Sequence, residues 1–162
     1  MYRRSPRLAL LVALGAVSAV TAGVGGRADD VRVTIVSITA SDRHNVVDPK
    51  LKEVAREVQK HEPQLTGFKL GPVICMPVNV GPNKESFPLV DEEKADITVL
   101  GKDDTRQRIR LAVKTPRVGE ITYWTCYDKF FPIVTRYLTL NERERLIVAV
   151  MVAPTAKEKD KK

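Results

Sequence analysis

Apolar and polar residues alternate along most of the chain beyond residue 30, and the period is two. The run over residues 31–38, Val-Arg-Val-Thr-Ile-Val-Ser-Ile, alternates and is rich in β-branched residues, which predicts a strand. One segment breaks the period. Leu51, Val54, Ala55 and Val58 fall at i, i+3, i+4 and i+7, the spacing of one apolar helix face. Asp48 can cap this helix, and Pro49 suits its first position, where a missing N–H costs nothing. Pro63 is expected to stop it.

From Leu65 the period returns to two. Strand-like runs fall at 65–70 and 73–80, and Gly81-Pro82-Asn83-Lys84 closes the second of them as a turn. The piece at 87–90 carries Pro88 and is expected at a sheet edge or bulge. The cleanest alternations are 95–100 and 108–114. The latter puts Ile109, Leu111 and Val113 on one face and Arg108, Arg110 and Lys114 on the other. Runs at 121–126, 130–138 and 146–152 complete the set.

The gaps between runs are hairpin-sized, which demands antiparallel neighbours, because a parallel crossover needs a dozen or more residues. The expected class is α+β: a mostly antiparallel sheet or open barrel of about eight strands with one helix on one side, a β-sandwich being the alternative. An early helix opened by Asp48-Pro49-Lys50-Leu51-Lys52, then Phe68-Lys69-Leu70, and a final run Arg145-Leu146-Ile147-Val148-Ala149-Val150 resembles small exported bacterial proteins with one helix and a β-rich domain. The resemblance implies the fold outline and no activity or functional residue.

The first 28 residues have a different character. Arg3, Arg4 and Arg7 open the chain with no acid, residues 8–24 carry no charge, and small residues follow at 20–22 and 26–28. A positive start, an apolar middle and a small-residue exit make a secretory signal. The expected organisation is a signal peptide at 1–28, one β-rich domain at 29–154 and a disordered basic tail at 155–162. The expected location is outside the cytoplasm: periplasm, cell surface or extracellular space. A retained anchor is the alternative, since the uncharged run of 17 residues is near the length needed to span a bilayer.

The leader changes the charge argument. The chain is +7, and removing its four arginines leaves +3, of which the tail holds +2. The excess therefore sits at the two ends. A phosphate-tracking domain needs a basic face within the fold, so no nucleic-acid partner is expected, and membrane contact is expected only through the leader.

Little else carries chemistry. His44, His61, Cys75 and Cys126 lack the short paired spacings of a zinc site, and no cofactor is expected. Asp42, Asn45 and Asp48 bring oxygen ligands together without an EF-hand spacing. There is no Gly-x-Ser-x-Gly elbow and no phosphate loop. In an oxidising compartment Cys75 and Cys126 can pair, closing a loop of about 50 residues, or remain buried free thiols.

The aromatic residues are less ordinary. Tyr123, Trp124, Tyr127, Phe130, Phe131 and Tyr137 are six of the nine in the chain. They are expected on one hairpin turning near Asp128-Lys129, with Trp124 and Cys126 on the face opposite Tyr123 and Tyr127. Tyr123, Trp124, Tyr127, Phe130 and Phe131 are the candidate contact surface for a protein or glycan partner in the envelope. The function this favours is a non-catalytic exported binding or assembly domain. The alternatives are a hydrolase acting on an extracellular polymer, and a subunit that adds a strand to a partner through an edge such as 87–90.

Overall fold

The alternating runs form eight strands, and the helical spacing forms one short helix, in a computed structural model that describes residues 30–155. The leader and most of the tail lie outside the described residues. In order, the elements are β1 (Asp30–Ser41), α1 (Lys52–Gln59), β2 (Gly67–Asn79), β3 (Lys84–Pro88), β4 (Lys94–Asp103), β5 (Arg108–Thr115), β6 (Gly119–Cys126), β7 (Phe131–Leu138) and β8 (Arg145–Pro154). They make two four-stranded sheets, ordered β2-β1-β8-β7 and β3-β4-β5-β6. All pairings within the sheets are antiparallel. The fold is α+β, mostly antiparallel, and not a closed barrel.

The two sheets share one core. Val31, Val33 and Ile35 of β1 and Val148, Val150 and Val152 of β8 meet Ile97, Val99, Ile109, Leu111 and Val113 of the second sheet. On β1 these are odd positions. The even positions Val36, Ile38 and Ala40 face the other way, into a second core beneath α1 with Leu51, Val54, Ala55, Val58, Leu65 and Phe68. Successive strand residues point to opposite faces, so β1 and β8 supply both cores. That explains why 146–150 reads as an unbroken apolar run: Leu146 and Val148 serve one core, Ile147 and Ala149 the other.

The helix begins as the sequence implies. The Asp48 carboxylate accepts the Lys50 N–H at 2.9 Å. Pro49 to Leu51 form a 3-10 turn before α1. The helix is only eight residues long, too short to be stable alone. Its burial against the first sheet, β7 included, holds it in place.

Two expectations need correction. The runs at 65–70 and 73–80 are one strand, β2, whose register against β1 breaks between Val36 and Ile38. At that break a Cβ on Gly71 would lie 2.9 Å from the Ser37 carbonyl oxygen, too close for another residue without movement. The expected aromatic hairpin does not form. β6 pairs with β5 in one sheet and β7 with β8 in the other. The chain turns at Asp128, which has a φ of 59°, and crosses between sheets with its N–H bonded to the Val152 carbonyl.

Candidate functional site

Because β6 and β7 belong to different sheets, the five candidate aromatics do not form one surface. The Tyr123 ring faces inward and stacks on Phe131 of β7, with centroids 4.1 Å apart, closing that side of the sandwich. Burial pushes the Tyr123 hydroxyl well above the ordinary tyrosine range. Tyr127 packs against the same core. Trp124 points the other way, on the outer face of the second sheet, and is 49% exposed. Phe130 is 41% exposed and stands on the helix side of the first sheet.

Phe130 lines two open grooves on either side of α1. One, of 570 Å³, runs past Glu57, His61 and Pro132; the other, of 620 Å³, past Val36, Leu51, Leu70 and Val73. Both are mainly apolar, with charges from Lys50, Lys52, Glu53 and Glu57 at their rims. They offer shelter to an apolar group, and the first is also lined by Glu53, Glu57, His61, Asp128 and Lys129. Among the described residues, no group of three or more His, Cys, Asp or Glu side chains is placed to hold a metal ion.

The cysteines are not brought together. Cys75 is exposed on β2, Cys126 is half-buried on β6, and both are free thiols, not at bonding distance. β2 and β6 are edge strands of different sheets. Cys75 accepts a hydrogen bond from the Thr34 hydroxyl at 3.4 Å. Cys126 stands opposite Arg108.

Sequence reasoning missed a polar clasp at the far end of the first sheet. His44 Nδ1 accepts the Val46 N–H at 3.3 Å, so its Nε2 carries the proton and donates to Glu144 Oε1 at 3.4 Å. Lys69 reaches Glu142 at 2.7 Å and Glu144 at 3.4 Å. Burial pushes the Glu144 carboxyl up, but the Thr39 and His44 hydrogen bonds and the Lys69 charge outweigh it and hold the group below the ordinary glutamate range. Both imidazole nitrogens are engaged, so the pair fastens the loop before α1 to the β7–β8 turn and presents no free base. Only folding joins these residues, a hundred positions apart in sequence.

The sign of the acid response follows. A carboxyl depressed in the folded state contributes stability that is complete above its unfolded value, about 4.3, and lost as the pH falls through the folded one. Glu144→Gln is expected to lower stability by about 1–3 kcal/mol at pH 7. The deficit against the native chain should shrink in urea titrations carried below pH 4. A deficit that stays constant with pH would show that the charge of Glu144 contributes nothing.

The sheet edges differ in kind. β2 carries Pro72, Pro77 and a register break; β3 is five residues long and ends in Pro88; β7 carries Pro132 and loses register between Val134 and Leu138. Short length, proline and bulges are how edges are kept from pairing with other chains. β6 has none of these. It carries no proline or lysine and runs in unbroken register with β5 over eight pairs, from Arg108 opposite Cys126 to Thr115 opposite Gly119. Every second residue of such a strand turns its N–H and C=O away from its neighbour. Comparison of the chain with protein-family models, with curated proteins and with solved structures finds no match.

The outer face beside β6 is charged in matched rows. Arg108 stands opposite Asp103, and Lys114 lies between Asp96 and Glu120. Arg110 lies between Gly101 and Trp124 and, unlike Arg108 and Lys114, has no acid directly opposite it on either flanking strand.

Proposed function

We propose that the chain is an exported, non-catalytic assembly domain that works by adding a strand at β6. The observation that carries this reading is the contrast among the four edges, three blocked and one open. A bare strand of eight residues bordered by a half-exposed tryptophan has the backbone donors and acceptors, and the side-chain anchor, that strand addition uses. The contact surface expected from Tyr123, Trp124, Tyr127, Phe130 and Phe131 reduces at this edge to Trp124, with Tyr123 and Phe131 stacked behind it.

Proline at the edge tests the reading. Thr122→Pro removes a backbone donor and keeps the inward residues Ile121 and Tyr123. It is expected to abolish assembly, read by sedimentation, while the far-ultraviolet circular dichroism stays that of the native chain. An assembled species of unchanged size in the folded variant would remove β6 from consideration.

Export rests on the leader and has its own test. Intact-mass analysis of the protein from fractionated cells is expected to find a species that starts near Gly23 or Asp29, outside the cytoplasm. A full-length cytoplasmic species overturns that part of the proposal.

A further inference from the structure

β6 is also self-complementary. We infer that it pairs with β6 of a second copy of this chain, antiparallel and centred on Thr122, so that the two second sheets join into one. This rests on the reading of β6 as an assembly edge and names the partner.

Residues opposite each other on antiparallel strands must share a face, so the pairing centres either on an outward residue or on an inward one. Centring on Tyr123 would set two Tyr123 rings face to face, although each is already stacked on its own Phe131. Centring on Thr122 avoids this. It places Thr122 against the second copy's Thr122, with the small Ala112 behind each. On the inner face it places Ile121 against Tyr123. Threonine pairs and aromatic pairs with β-branched residues are favourable cross-strand neighbours.

Charge points to the same register. Glu120 of one copy falls opposite Trp124 of the other. The row across the joint then reads Gly101, Arg110, Trp124, then Glu120, Lys114 and Asp96 of the second copy, and the two-fold axis repeats it in reverse. Arg110, which has no acid directly opposite it within one chain, gains one beyond the indole. Its Cα lies two strand spacings, about 10 Å, from that of the incoming Glu120, a span two extended side chains can cover. No like charges stand opposite one another.

The test uses the chain as recovered from cells, with Cys75→Ser and Cys126→Ser to remove the native thiols. Sedimentation is expected to find a dimer. Thr122→Cys in that background is expected to give a disulfide-linked dimer on mild oxidation, since the axis sets residue 122 against itself. Ser86→Cys, on the outer face of the same sheet at β3, is expected to give none. A dimer that links equally well through Ser86→Cys overturns the register. A monomer whose Thr122→Cys thiol links in the envelope to a chain of different mass overturns the second copy and leaves strand addition standing. A monomer whose Thr122→Cys thiol links to nothing overturns both.

Discussion

Replacing Phe68 by alanine is expected to lower the stability of the domain by about 3–5 kcal/mol, a fall of roughly 10–20 °C in melting temperature. The side chain is fully buried in the core beneath α1, among Leu51, Val54, Val58, Leu65 and Ile147. Truncation removes a large apolar group and leaves a cavity between helix and sheet that backbone constraints keep from closing. The Phe68 N–H bonds the Val46 carbonyl at 2.8 Å, and its carbonyl accepts the Asp48 N–H at 2.9 Å. The residue therefore seats both the loop before α1 and the cap that starts it. Val73, on the same strand and 54% exposed, supplies the comparison. Val73→Ala is expected to change stability by about 0.5 kcal/mol or less. Urea midpoints of the two variants measure the difference, and similar losses for both would show that α1 is not held by this core.

How much of this was legible in the sequence depended on the range of the interactions. The helix was readable because its cap, its first-turn proline and its four apolar positions all lie within a few residues of one another. The strands were readable where one face is apolar, as on β5. The aromatic surface was not. Its reading assumed that runs 121–126 and 130–138 pair because little separates them. A short gap equally lets the chain step from one sheet to the other, and the corner at Asp128 does so. Nothing in the local pattern distinguishes the two, since each run still alternates. The His44–Glu144 clasp was invisible because its members come from opposite ends of the domain. The exposed edge was legible only in part. Proline marked only the piece at 87–90 as an edge, and that β6 is an edge at all follows from the strand order. Of the edge suspected at 87–90, only Phe87 and Pro88 lie in an outer strand, β3, which starts at Lys84 and ends in that proline, while Val90 opens a 3-10 turn.

The alternation of β5 makes the sharpest prediction about the two sheets. Leu111→Asp is expected to prevent folding. Leu111 is fully buried in the core shared by the sheets, on a strand paired on both sides. The side chains packed in that core are apolar and none of the buried residues described is a cation, so burying a carboxylate there costs several kcal/mol. That loss comes on top of the lost apolar contacts and is comparable to the whole stability of a domain this size. Arg110, the preceding residue, points outward and is exposed. Arg110→Asp should leave the fold intact, with a change of about 0.5 kcal/mol or less in the monomer. Adjacent positions on one strand thus separate a folding defect from a surface change, and near-ultraviolet circular dichroism with urea titration reads both. Arg110→Asp carries a second consequence. It turns a carboxylate toward the Glu120 expected from a second copy, so a folded variant that no longer associates would connect the outer face of the sheet to the open edge.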